Sequence, residues 1–200
     1  MDGTLFDSAG VVPDAYIETV LECGGAKYAR ADVVAAYPVG PPAAIIMHLL
    51  GRPCRDGELE AYHGRLRALA GGVAVYPGLV EALGELAERL PLGVSTGASA
   101  TAAEILLAAA GLSRFFAAVV GGDEVSRPKP APDGIRRACA RLGVRPCDAA
   151  YVGDADVDLE AARRAGAMPV AAGWGHLYCE QHRAERVLRR PRDLVMLLSA

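Results

Sequence analysis

The chain has 200 residues, 52% of them hydrophobic and 22% charged, with a formal net charge of −3. That apolar content excludes a disordered chain, and the balance of charge excludes a broad basic field for tracking nucleic acid. The length suits one ordinary domain, or a core carrying an insertion. Cys23, Cys54, Cys139, Cys147 and Cys179 are odd in number and show no C-x-x-C spacing, so they read as reduced thiols of a cytoplasmic protein. Met1 is followed at once by Asp2, so no signal peptide is expected. No run approaches the roughly 20 apolar residues that a membrane helix needs.

Residues 11–74 read as helical, at Asp14–Cys23, Arg30–Ala36, Pro42–Leu50 and Arg55–Leu69. Prolines 13, 38, 41, 42 and 53 punctuate this stretch, and no strand alternation is visible in it. From residue 75 onward the pattern changes. Short apolar runs at Leu92–Thr96, Ala117–Val120, Ala149–Gly153 and Met168–Ala172 read as buried parallel strands. Helices are predicted between them, at Leu79–Leu90, Ala100–Leu112, Pro132–Leu142 and Val157–Ala165, with Gly111 and Gly143 near helix ends. Such alternation means βαβ units and a parallel sheet. The expected class is therefore a three-layer, Rossmann-like α/β core over residues 1–10 and 75–200, with a small helical insertion over 11–74. The arginine-rich tail near Arg183, Arg186, Arg189, Arg190 and Arg192 reads as a solvated surface.

Chemistry in a parallel sheet collects at the C-terminal ends of the strands. There the sequence places Ser95, Thr96 and Gly97, then Lys129, then Asp154, Asp156 and Asp158; Asp2, Gly3 and Thr4 stand at the start. Carboxylates can hold Mg²⁺, which takes oxygen ligands and often shares them with phosphate. A lysine and a hydroxyl can hold phosphoryl oxygens. Together these groups form a set for phosphoryl transfer, where positioning and charge do most of the catalysis. Of 21 basic residues only Lys27 and Lys129 are lysines, a bias that singles out Lys129 slightly. Lys27 reads as a surface residue, Asp156 as a helix-start carboxylate and Trp174 as a packing residue. A calcium loop is rejected, because Leu159 and Ala165 stand where glycine and glutamate are required. His176, Cys179 and His182 form a loose stripe without an evident fourth metal ligand.

Four motifs in order resemble the haloacid dehalogenase-like superfamily, in its helical-cap branch of phosphoglycolate phosphatase-like and β-phosphoglucomutase-like enzymes. They are Asp2-Gly3-Thr4-Leu5-Phe6-Asp7-Ser8, Thr96 (or Ser95) at the end of an apolar strand, Lys129-Pro130-Ala131-Pro132-Asp133, and Gly153-Asp154 through Asp158 followed by Ala161-Ala162-Arg163-Arg164-Ala165-Gly166. Tyr76-Pro77-Gly78 and Gly173-Trp174-Gly175 also fit. The resemblance implies a Mg²⁺-dependent phosphomonoester hydrolase acting on a small phosphorylated metabolite through an aspartyl-phosphate. Asp2 would be the general acid/base. Thr96 and Lys129 would hold the phosphoryl group, with Gly3, Thr4, Ser95 and Gly97 around it. Asp2, Asp154 and Asp158 would be the metal set, and the insertion would be a cap that closes on the substrate. A phosphomutase shares this machinery and is the alternative.

One position departs from the pattern. The family's nucleophile is the first aspartate of D-x-D, and Met1 stands at x. The resemblance therefore places the nucleophile one residue before Met1, after an apolar strand of about 5–6 residues that is central in the family's sheet. An upstream start is expected on this reading; a catalytically inactive binding module is the alternative if the chain is complete.

Overall fold

A computed structural model describes residues 1–181 and 184–199. The chain opens with a two-residue strand, β1 (Phe6–Asp7), and then gives four helices: α1 (Val12–Glu22), α2 (Arg30–Ala36), α3 (Pro42–Leu50) and α4 (Glu58–Leu69). A second short strand, β2 (Ala74–Val75), returns antiparallel to β1, with Phe6 opposite Val75 and Asp7 opposite Ala74. The rest alternates: α5 (Leu79–Ala87), β3 (Gly93–Ser95), α6 (Ala100–Ala109), β4 (Ala118–Val120), α7 (Asp133–Leu142), β5 (Ala150–Gly153), α8 (Asp156–Ala165), β6 (Met168–Ala172) and β7 (Arg186–Leu188).

Local chemistry explains several element boundaries. Ser99 caps α6, its hydroxyl accepting from the Ala102 amide at 3.2 Å, which satisfies an otherwise orphaned donor. Gly143 and Gly166 end α7 and α8 in the left-handed conformation. Gly57 is also left-handed, so α4 starts at Glu58 and not at the Arg55 expected from periodicity. The β1–β2 ribbon was not anticipated, because two residues per strand are too few to show alternation. Of the arginine-rich tail, Arg183 lies outside the described residues, Arg189, Arg190 and Arg192 are exposed as expected, and a strand forms at Arg186–Leu188. These residues pair with β6, and Leu188 is only 3% exposed.

Pairing among the longer strands is parallel, as expected for an α/β core. β3 pairs with β4, Ser95 lying opposite Val120, and β5 pairs with β6, Gly153 opposite Ala171. β7 extends the second group. Among the described residues, the two groups do not pair with each other. A cleft of about 630 Å³ lies there, lined by Met1, Val94, Ser95, Tyr151, Val152 and Leu86 among others. The main core runs through both parts of the chain, from Tyr16, Val20, Ile46 and Leu66 in the helical insertion to Leu79, Leu106, Leu107 and Val170. A smaller cluster of Ile135, Cys139, Ala161 and Ala162 joins α7 to α8. Among the described residues, no helix is long and apolar enough to cross a membrane.

Candidate active site

The N-terminal turn brings the first motif onto the end of β5. Thr4 donates its hydroxyl to Asp154 Oδ1 at 3.2 Å, and the Leu177 amide donates to Oδ2 at 3.1 Å. Asp154 is 2% exposed. Glycine is required on both sides of it. Gly3 has φ +70°, and a Cβ there would fall 2.0 Å from Asp154 Oδ2; a Cβ on Gly175 would fall 2.2 Å from Asp154 Cβ. The Trp174 indole donates to the Thr4 carbonyl at 2.9 Å, closing the turn from above. Trp174 is thus a packing residue that also fastens the N-terminal motif. Asp2 is oriented by the Ser8 hydroxyl, which donates to its Oδ1.

The second cluster is built on β5 and α8. Lys129 Nζ donates to Asp158 Oδ1 at 2.5 Å and to the Tyr151 hydroxyl at 3.0 Å. Asp158 Oδ2 accepts from the Ala155 amide at 3.3 Å. Tyr151 in turn donates to the Ser95 carbonyl at 2.8 Å, bridging the ends of β5 and β3. Burial pulls the Lys129 pKa down, but Tyr151 and the Asp158 carboxylate outweigh it, and the ammonium is held above its ordinary value. Burial pushes Asp158 up, but Lys129 and the N-terminal ammonium outweigh it, and the carboxyl is held below its ordinary value. The α-amino group of Met1 lies in the same space: burial first, then Lys129, lower its pKa, while Asp2, Asp158 and Asp154 oppose this.

Thr96 is 7% exposed; its amide donates to the Val120 carbonyl at 3.0 Å, and its hydroxyl accepts from the Ala98 amide at 3.2 Å. Ser95 turns the other way. A Cβ on Gly134 would fall 2.5 Å from Ser95 Oγ, which places that hydroxyl against the start of α7. Gly97 follows at the exposed end of the loop and approaches Gly122, where a Cβ would fall 2.5 Å from the Gly97 carbonyl oxygen.

The structure therefore joins Gly3, Thr4 and Asp154 in one group and Lys129, Asp158 and Tyr151 in another, with the Met1 amine near both. Tyr151, Ser8 and the Leu177 amide were not assigned roles from the sequence. Tyr151 could have been noticed as the one hydroxyl in an otherwise apolar strand, Ala150–Gly153. Of the His176, Cys179 and His182 stripe, His182 lies outside the described residues.

Mg²⁺ fits the donors in part. Among the described residues no group of three or more His, Cys, Asp or Glu side chains has metal-holding geometry. Asp158 is engaged by Lys129 and Ala155, so it orients the lysine. Asp154 is a hard oxygen donor beside the Asp2–Gly3 backbone. One or two carboxylates completed by water and phosphate is an ordinary Mg²⁺ environment.

Comparison with known proteins places the chain in a family. A model of the haloacid dehalogenase-like hydrolase family matches residues 1–166. The chain is similar to a phosphoglycolate phosphatase of Aquifex aeolicus, 32% identical over 99% of this chain and 93% of the relative. Another phosphoglycolate phosphatase, from Photorhabdus laumondii, is 33% identical over 90% of this chain and 80% of the relative. Among solved structures, CbbY of Rhodobacter sphaeroides in complex with phosphate superposes with a TM-score of 0.83 at 25% identity, covering 97% of this chain and 93% of that one. A hydrolase of Pseudomonas syringae gives a TM-score of 0.74 at 28% identity, covering 99% and 94%. With the α/β fold, the ordered motifs and these matches in agreement, the chain belongs to the haloacid dehalogenase-like hydrolases.

Proposed function

We propose that this hydrolase removes the phosphoryl group from a small phosphorylated metabolite, with Mg²⁺ as cofactor and the cytoplasm as its setting. The observation that carries the reading is that Lys129, the Asp154 carboxylate and the Ser8-oriented Asp2 all act on the same buried Met1 amine, with Lys129 paired to Asp158 and Asp154 held by Thr4. The names of the phosphoglycolate phosphatase relatives support the same substrate class.

Each residue is given one task. Lys129 neutralises charge on the phosphoryl oxygens, and Asp158 and Tyr151 aim it. The Thr96 hydroxyl accepts from Ala98 and keeps its own proton for a phosphoryl oxygen. Asp154, with the backbone carbonyl of Asp2, is assigned to Mg²⁺, which when bound would offset the negative charge of the phosphate. Asp2 protonates the departing oxygen through Oδ2, since Oδ1 is held by Ser8. The helices of residues 11–74 are assigned the role of a cap that excludes water. The attacking carboxylate is assigned to an aspartate on the amino side of Met1. Two features support this: the Met1 amine is buried among Lys129, Asp2, Asp158 and Asp154, and Met1 lines the cleft between β3 and β5.

The test is to join an apolar segment of about five residues ending in Asp to Met1 and assay hydrolysis of p-nitrophenyl phosphate. Mg²⁺-dependent turnover, abolished by Asp2→Ala and by an Asn in place of the added Asp, is expected. Turnover that ignores Asp2, or none with the added Asp, overturns the reading.

A further inference from the structure

A side chain of the insertion reaches across to the loop that carries Thr96. His63 stands in the middle of α4, and its Nε2 lies 2.9 Å from Ser99 Oγ. Ser99 is 2% exposed and caps α6, its oxygen accepting from the Ala102 amide at 3.2 Å. A serine hydroxyl carries one proton. With the Ala102 amide already donating to that oxygen, the proton is left for His63 Nε2, and the imidazole is the acceptor. A hydroxyl at this depth without an acceptor would cost free energy. α4 also packs on α6, so the bond lies in a partly buried seam between insertion and core.

The Thr96–Ser99 segment is otherwise tied within the core. The Thr96 hydroxyl accepts from the Ala98 amide, and the Ala98 carbonyl accepts from the Gly122 amide at 2.7 Å. Asp123 Oδ1 accepts from the Ala100 amide at 2.8 Å. A Cβ on Gly121 would fall 2.2 Å from the Ala100 nitrogen, so the residues after β4 press closely on this segment. Ser99 is the point at which the insertion holds it. A shift of Ser99 moves Ala98, its neighbour in the chain, and the Ala98 amide is bonded to the Thr96 hydroxyl.

Resting on the phosphatase reading, we propose that His63 is a positioning residue: from the insertion it accepts the Ser99 proton and so holds the Thr96–Ser99 loop in the conformation that receives a phosphoryl oxygen. The insertion then takes part in binding phosphate, in addition to its role as a cap.

The test is calorimetric titration of the 200-residue chain with inorganic phosphate in Mg²⁺ at a single pH, with the melting temperature of each variant measured alongside. His63→Leu and His63→Ala offer no acceptor, and each should bind phosphate about tenfold more weakly, the scale of one hydrogen bond. His63→Gln returns an acceptor oxygen and should recover most of that affinity. Arg52→Ala breaks the Arg52–Glu58 pair at the start of the same helix. It should lower the melting temperature and leave phosphate affinity unchanged. Wild-type affinity in a folded His63→Leu or His63→Ala overturns the proposal, as does a His63→Gln no better than either. An equal loss in Arg52→Ala also overturns it, by assigning the effect to a loosened insertion. Failure of phosphate to bind the wild type overturns the phosphatase reading, and the proposal with it. Phosphate binding that ignores His63 overturns the proposal alone.

Discussion

Lys129 Nζ sits 2.5 Å from Asp158 Oδ1, and both side chains are largely withdrawn from water, with exposures of 19% and 11%. Removing one partner leaves a charge with neither water nor counter-ion. Asp158→Asn is expected to cost about 3 kcal/mol, the usual scale for a broken buried pair, read by urea unfolding at pH 7. The pH dependence follows from the directions of shift. Asp158 is held below its ordinary 3.8, so its contribution is present above that value and is lost as pH falls through the lowered pKa. Lys129 is held above 10.5, so its contribution is present below that value and fades only as pH rises through the raised pKa. The wild type should therefore show a steeper loss of stability below pH 4 than Asp158→Asn. Equal acid slopes would contradict the pairing.

Gly3→Ala tests the approach of the first motif to Asp154. The substitution meets two obstacles, a φ of +70° and an Asp154 oxygen 2.0 Å from the new Cβ. Together they should cost about 2–4 kcal/mol. Gly51→Ala is the control. Its φ is +65° but nothing lies within 4 Å of the added carbon, so it should cost only about 1 kcal/mol. Chemical denaturation of both variants compares them, and similar losses would remove the steric argument.

Tyr151→Phe removes one hydroxyl that joins two strands. The Ser95 carbonyl loses a donor and Lys129 loses an acceptor. A loss of about 1–3 kcal/mol is expected for groups left unpaired. Amide hydrogen exchange should increase at the ends of both β3 and β5. Exchange that changes on β5 alone would show that the hydroxyl does not couple the two groups of strands.

Ser99 serves two partners, capping α6 through the Ala102 amide and meeting His63 Nε2 from α4 at 2.9 Å. Ser99→Ala should cost about 1–2 kcal/mol, mostly for the cap, and His63→Gln less. Burial lowers the His63 pKa, with Glu60 and Asp123 opposing and Arg67 assisting. The unfolded chain then binds the proton more readily, so stability from this group is present above pH 6.5 and declines as pH falls below it. Thermal melts at pH 7.5 and 5.5 should show a larger drop for the wild type than for His63→Gln. Equal drops would place the titration elsewhere.

Much of the site was legible because its residues follow apolar runs directly. Asp154 comes one residue after β5, and Thr96 one residue after β3. Lys129 was legible by its proline context and by the rarity of lysine in the chain, since no periodic element carries it. The sequence could not show how these groups divide. Asp154 and Asp158 lie four residues apart on one loop and helix start, yet one faces Thr4 and Gly3 while the other faces Lys129. Their partners come from positions 150 and 29 residues away, beyond any local pattern. The short strands escaped for a related reason. β1, β2 and β7 have two or three residues each, and such pieces become strands only because a distant strand satisfies their backbone groups.

By itself the sequence determined the α/β class, the helices of residues 11–74 and the kinds of chemical group at the strand ends. These follow from periodicity and from punctuation by glycine and proline, which act over a few residues. Only the tertiary structure decided that Tyr151 ties β5 to β3, that Asp158 belongs to Lys129, and that a cleft lies between the two strand groups. It alone also set Tyr16, Tyr37 and Tyr62 together. Those relationships depend on which surfaces meet when apolar faces are buried, and burial joins residues without regard to their separation along the chain.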